Sequence, residues 1–298
     1  MSGSTPAQVR IGFAIVDITA IDDRAQTLTI DSYVRLSWVD PRLASLAGCR
    51  VSPDAIWNPR VQLLNAGTLG LRQPPTATIG EGGEVEVAAR FFGDLSSAFD
   101  LTEFPFDNHV IELDVMTPVY TADEIQLGVD ERWTFRRPTM SIPDWEVGAI
   151  HAVTFDREVA ALGDTFSVFR LSIPIERRSN YYLYRLILPT IMIVMMSLGI
   201  FWVPSNQALR VSIGVTCVLT LFAFQFAVVA VMPRVSYLTT MDLITLASSL
   251  VVFLVLLEAF TVAYLVGKAR DSAADKLDLI SRVVFPVGYW VVLAALFA

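Results

Sequence analysis

Cysteine and histidine are scarce in this sequence. Of 298 residues, two are cysteine (Cys49, Cys217) and two are histidine (His109, His151). Cys49 lies in a polar stretch and Cys217 in the middle of an apolar run, so the two are not partners and no disulfide framework is implied. The histidines are far apart with no ligand spacing around them, which argues against a metal site built on histidine. No nucleophile elbow, phosphate-binding loop or zinc motif is present, and neither an enzyme's converging side chains nor a cofactor site is visible. Basic residues are outnumbered, with a net charge of −8, and that acidic balance argues against a nucleic-acid partner. A secretory signal is missing as well: Met1–Arg10 is polar and has no apolar core. An exported N-terminal domain needs such a signal, so the expectation is a processed start carrying an added methionine.

What is abundant is apolar surface. Hydrophobic residues make up 54% of the chain and the mean hydropathy is +0.53, above the ~45–50% of ordinary soluble proteins. The excess is uneven. Residues 1–178 hold 15 Arg against 25 Asp and Glu, a net −10, whereas residues 179–298 hold seven Lys and Arg against five acids, a net +2. The expected division is a polar domain over 1–178 and an apolar one over 179–298, each suited to a different solvent.

The polar half reads as β-structure. Ile11–Ile18 and Thr27–Trp38 are strand candidates separated by an Asp22-Asp23 turn, the second alternating with period two. Trp57-Asn58-Pro59 breaks the chain before Arg60–Leu64, and Gly80–Gly83 forms a turn before Glu84–Phe92. Val110–Val115, Trp145–Phe155 and Thr165–Ile175 complete a pattern that predicts an all-β sandwich.

The apolar half predicts four membrane spans, over about 181–202, 209–232, 237–266 and 277–297. Lys268, Arg270, Lys276 and Arg282 fall between the third span and the apolar core of the fourth, so that loop is cytoplasmic. The N-terminal domain and both termini are then outside, extracellular or periplasmic, in a multi-pass protein of the cell (inner) membrane. The second span is unusual. Ser212, Thr216, Leu219, Ala223 and Phe226 recur at spacings of 4, 3, 4 and 3, which places them on one helical face. Hydroxyls at one end and apolar groups at the other suit a helix–helix interface; they suit a pore lining equally well. Arg210 sits at the cytoplasmic end, where it fits snorkelling or a pore mouth. One helix per chain cannot enclose a water-filled path, so the pore reading requires a ring of subunits.

Trp57-Asn58-Pro59, Phe104-Pro105-Phe106-Asp107, Leu188-Pro189, Gly214–Leu221 and Met232–Tyr237 occur in that order along the chain. Together they resemble the motifs of pentameric ligand-gated ion channels, the Cys-loop receptors. The pore-helix stretch is similar to that of glycine and GABA receptors. Ser97 and Val110 stand where the eukaryotic receptors have their two loop cysteines, the loop between the third and fourth spans is short, and no adjacent cysteine pair is present. These departures are typical of bacterial members, and the chain is similar to the proton-gated and amine-gated bacterial channels.

The resemblance implies a homopentamer around a central pore in the lipid bilayer. A small molecule or proton would act as agonist and monovalent ions would permeate, with no catalysis. It implies a pore lining of Arg210, Ser212, Thr216, Leu219, Ala223, Phe226 and Ala230, with Leu219 at a central hydrophobic gate and Phe226 and Ala230 toward the extracellular mouth. It implies a coupling cluster of Asp23, Asp107 and Arg177, with Arg178 as the alternative arginine and the loop containing Pro233 and Tyr237 as its counterpart. For the agonist it implies an aromatic site between subunits, with Phe155 and Phe166 flanking the loop at 156–165 and Tyr33 on the facing strand. Pro118 stands where the amine-gated channel has an aromatic, and Tyr120 is the expected substitute. Selectivity pulls two ways. Cation-selective relatives place a glutamate just before Arg210, where this chain has Ala208-Leu209, and a ring of Arg210 facing the lumen would favour anions. The acidic outer half favours cations, which is the expectation; an anion channel and a non-conducting ligand sensor remain the alternatives.

Overall fold

The computed structural model describes residues 6–203, 207–232 and 234–297. The chain divides into two compact units, one made of residues up to Phe99 with Asn108–Arg177 and the other of Asp100–Asp107 with Arg178 onward.

The first unit contains thirteen strands: β1 (Ala7–Asp22), β2 (Thr27–Val39), β3 (Arg50–Val51), β4 (Gln62–Leu63), β5 (Ala66–Leu71), β6 (Thr76–Ile79), β7 (Glu84–Ser96), β8 (Asn108–Met116), β9 (Ile125–Val129), β10 (Phe135–Arg136), β11 (Trp145–Val147), β12 (His151–Val159) and β13 (Asp164–Arg177). They form an eight-stranded sheet built on β10-β1-β2-β7-β6-β3 and a five-stranded sheet built on β11-β13-β8-β4. The β1–β2 turn forms because the Asp22 carboxylate accepts from the backbone N–H groups of Arg24 and Ala25, both at 2.9 Å. At the other end of the ladder Gly83 takes a left-handed φ of 80° that closes the turn before β7. Buried apolar residues of β1 and β13 contribute to the core between the sheets, where the rings of Phe13 and Phe169 stack 6.3 Å apart. The stretch Trp145–Phe155, expected as one strand, is two. Pro174 on the partner strand has no N–H for the ladder, and the break at 148–150 lies opposite it.

Among the described residues the second unit has four helices long and apolar enough to cross a membrane: α1 (Asn180–Trp202), α2 (Gln207–Val231), α3 (Thr240–Gly267) and α4 (Asp271–Leu296). Pro189 in α1 has no N–H for the carbonyl of Arg185, and the preceding turn, Leu183–Ile187, widens to π geometry. Thr239 and Asp242 cap α3 reciprocally, each side chain accepting from the other's backbone N–H. The fourth span is expected from about 277; the helix that carries it, α4, begins at Asp271, and within its first turns Asp278 pairs with Arg282 and with Arg210. Buried Val194, Leu221, Val252 and Leu293 form the bundle core, while large apolar side chains such as Met192, Phe222 and Trp290 face outward, as lipid contact requires. Asp100–Asp107 belongs to this unit. The Thr240 and Met241 N–H groups at the start of α3 donate to the carbonyls of Thr102 and Phe104 at 2.9 and 3.1 Å, and the Phe104 ring packs on Tyr182 at 4.8 Å.

Candidate functional site

Helix α2 has two opposed faces. Its buried residues are Arg210, Gly214, Cys217, Leu221 and Val228, a stripe that packs into the bundle. At ~100° per residue, Ser212, Thr216, Leu219, Ala223, Phe226 and Ala230 lie about 200° away. All six are exposed in the chain, with Leu219 at 64% and Phe226 at 79%. Exposed leucine and phenylalanine across from a packed face need cover from something outside this chain. The hydroxyls on this face are oriented. Thr216 donates to the Ser212 carbonyl at 2.8 Å and Thr220 to the Thr216 carbonyl at 2.8 Å, so the Thr216 oxygen turns its lone pairs outward.

Arg210 is not on that face, which corrects its assignment to the pore lining. Its side chain is buried and bonded to Asp278 of α4, Nη1 to Oδ1 at 3.0 Å and Nη2 to Oδ2 at 3.4 Å. Nε donates to the Val203 carbonyl at 3.1 Å. Arg282 reaches the same carboxylate at 2.8 Å. The reason is the 4-3 periodicity itself, which puts Arg210 in line with Gly214 and Cys217 rather than with Ser212. The sequence reading missed Asp278 and Glu258, although an acid inside a membrane span is itself a signal.

In the first unit Arg177 pairs with Asp23 at 3.0 Å, the side chains being 2% and 18% exposed. The Arg177 guanidinium also lies 4.1 Å from the centroid of the Trp145 ring. Arg178 is exposed, so of the two arginines Arg177 is the one built into the fold. In the second unit Asp107 is buried, and the Tyr237 hydroxyl accepts from the Leu101 N–H at 2.8 Å. The loop that follows α2 is thereby tied to the segment carrying Phe104–Asp107. Pro233 lies outside the described residues.

The aromatic candidates are differently placed. Phe166 is 3% exposed and packs with Met116 and Val168 in the sandwich core; its assignment to a ligand-facing position is corrected, because β13 turns that side chain inward. Phe155 packs on the edge of this cluster and already has two cations over its ring, Arg157 and Arg170, each 5.2 Å from the centroid. Both arginines bond to Asp114, at 2.9 and 2.7 Å. Burial opposes ionisation of Asp114, but the hydrogen bonds from Arg170 and Arg157 outweigh it and keep its carboxyl below the usual range. Tyr33 stands on the other sheet. Arg90 lies 5.2 Å over its ring and is fixed by Asp31 through bonds of 2.9 and 2.8 Å. Those bonds keep the Asp31 carboxyl below its ordinary value against the opposing effect of burial. The Tyr120 hydroxyl accepts from Trp57 Nε1 at 3.2 Å, so the Trp57-Asn58-Pro59 motif anchors it. Among the described residues, no group of acids, histidines or cysteines is arranged to hold a metal ion.

Comparison with known proteins adds the following. Residues 1–157 match the neurotransmitter-gated ion-channel ligand binding domain and residues 186–285 the neurotransmitter-gated ion-channel transmembrane region. The chain is 26% identical to the proton-gated ion channel of Gloeobacter violaceus over 98% of its own length and 84% of that protein's. It is 27% identical to the probable ligand-gated ion channel 46 of Caenorhabditis elegans, over 92% of its own length and 57% of the relative's. It is 23% identical to the neuronal acetylcholine receptor subunit alpha-9 of Gallus gallus, over 83% and 54%. The chain thus spans little more than half the length of the two animal relatives.

Proposed function

Because the chain belongs to the neurotransmitter-gated ion-channel family, with an extracellular β domain followed by four membrane-spanning helices, we propose that five identical copies surround a pore lined by the outward stripe of α2. The observation that carries this reading is the opposition of that stripe to the bundle-facing one. Five such stripes give each exposed side chain an aqueous or like-chain neighbour. Ser212 and Thr216 form the narrow inner half, Leu219 the gate, and Phe226 and Ala230 the outer mouth. A ring of leucines excludes water when narrow and admits it when wide, which gates without a plug.

The pore passes cations. Arg210, the residue on which an anion-selective reading rested, is neutralised by Asp278 away from the lumen stripe. The outward lone pairs of Thr216 suit cations, and the acidic outer half concentrates them within a screening length of ~8 Å. Protons or a small ligand open the pore by favouring one state of a closed–open equilibrium, the proton reading drawing support from the Gloeobacter relative. Asp23 and Arg177 on the β domain, with Asp107 and Tyr237 on the helical one, carry the signal. Phe155, Tyr33 and Tyr120 contribute to an agonist site between neighbouring copies, where Arg157, Arg170 and Arg90 occupy the aromatic faces and an anionic group on the ligand would find them. Two measurements test the reading. The detergent-solubilised protein should have about five times the 32.9 kDa of one chain, and its reversal potential in a NaCl gradient should follow sodium. A monomer or dimer would sink the pore; a shift toward the chloride potential would make the channel anion-selective.

A further inference from the structure

Glu258 lies inside α3 and is 6% exposed. Neither of its carboxyl oxygens has a hydrogen-bond partner among the described residues. A buried polar group without a partner destabilises the arrangement that contains it, and a second arrangement that satisfies it is a natural reason for its presence.

Its neighbours identify that second arrangement. At Gly214 α2 packs tightly on α3: a Cβ there would stand 2.8 Å from Leu256 Cδ1 and 3.5 Å from Ile200 Cδ1. Arg210 is one turn from Gly214 toward the cytoplasmic end of α2. Glu258 is two residues from Leu256 toward the cytoplasmic end of α3, which runs the opposite way. Glu258 also lies one turn from Val262 on the buried face of α3, and Val262 lines the same cavity as Arg210. Arg210 and Asp278 are the charged groups that act on Glu258 electrostatically. The pairing is lopsided, since Asp278 holds both Arg210 and Arg282 while Glu258 holds neither. Asp278 could release Arg210 and keep Arg282; Glu258 would gain its first partner. A polar cavity of about 400 Å³ lined by Gln207, Arg210, Asp278 and Arg282, with Asp271 and Asp275 at its α4 side, gives the guanidinium room to move.

We propose that Arg210 exchanges partners between Asp278 and Glu258 during gating, so that the inner end of the pore helix is tied to α4 in one state and to α3 in the other. Glu258 is on this view a positioning residue for the pore helix, in a two-state element. The inference rests on the channel reading above.

The test uses the full chain in planar bilayers, with protons as the stimulus and the open-to-closed ratio read at the pH of half-maximal wild-type current. Glu258→Gln removes the alternative charge and favours the arrangement described here. Asp278→Asn removes the present partner and favours the other. The two variants should shift the ratio in opposite directions, each by roughly fivefold or more, with the double variant between them. Asp275→Asn, which lines the cavity without bonding Arg210, should leave the ratio unchanged. Thermal unfolding in detergent supplies a readout that needs no current: Glu258→Gln should raise the midpoint. Shifts of the same sign, or a Glu258→Gln midpoint that is unchanged or lowered, overturn the exchange. A silent wild-type protein is a separate failure, of the channel reading, and the thermal arm still decides about Glu258.

Discussion

Replacing Arg177 by alanine removes the cation from a pair whose side chains are 2% and 18% exposed and 3.0 Å apart. Truncating one partner of a buried pair costs about 3–5 kcal/mol, because the remaining charge stays desolvated. The residual exposure of Asp23 places this case at the lower end. Loss of the guanidinium over the Trp145 ring adds about 1 kcal/mol, for a total of roughly 4 kcal/mol. In a domain of 150–250 residues each kcal/mol moves the midpoint by about 2–4 °C, so a fall of about 8–16 °C is expected. The assay is thermal unfolding of the detergent-solubilised protein, followed by the β signal in circular dichroism. Asp23→Asn in the Arg177→Ala background should recover part of the loss, since the stranded charge is gone. Arg178→Ala, at an exposed position, should cost no more than about 0.5 kcal/mol. Strict additivity of the Asp23 and Arg177 changes, or a comparable loss at Arg178, would refute the pairing argument. Where Arg177→Ala still reaches the membrane, its currents should be impaired.

Other expectations follow from the same geometry. Leu219→Ser leaves no cavity, because the side chain is 64% exposed in the chain; it should hydrate the gate and raise sensitivity or spontaneous current, and unchanged gating in a well-expressed variant would return Leu219 to a packing role. Phe166→Ala, by contrast, empties a core position and should destabilise the β domain by about 3–5 kcal/mol; a fully stable variant with altered agonist response would restore it to the ligand site. The Asp31 and Asp114 carboxyls have native pKa values below their ordinary ones, so the stability they supply is present above about pH 4 and lost as pH falls through the native values. Acid unfolding of Arg90→Leu and Arg170→Leu variants should show a shallower pH dependence in that range, and an unchanged slope would contradict it.

The sequence showed the architecture because the signals are long. Runs of more than 20 apolar residues and period-two strands survive without knowledge of partners. What it did not show depends on partners distant in sequence. Arg210 was legible as charged but not as buried, since its fate is set by Asp278, 68 residues away. The start of α4 was hidden for the same reason, because its charged first turns look like a loop until those pairs are known. Phe166 was misplaced because four consecutive residues of β13, Phe166–Phe169, are buried, which breaks the alternation that tells core from surface. Asp100–Asp107 was grouped with the strands around it, although its carbonyls serve the first N–H groups of α3. The exposed stripe of α2, Ser212 to Ala230, was legible from spacing, apart from the arginine at its end.

The claim that α2 turns its Ser212–Ala230 stripe to a conducting lumen is tested most directly by thiol reactivity during current recording. Cys49 is exposed and Cys217 buried, so Cys49→Ser gives the background, and single cysteines are placed at Ser212, Thr216, Ala223, Phe226 and Ala230 and, for contrast, at Gly214 and Leu221. A charged, water-soluble thiol reagent should block current through each of the first five and leave channels with cysteine at Gly214 or Leu221 unaffected. Block confined to those two positions, or none along the stripe, would contradict the account.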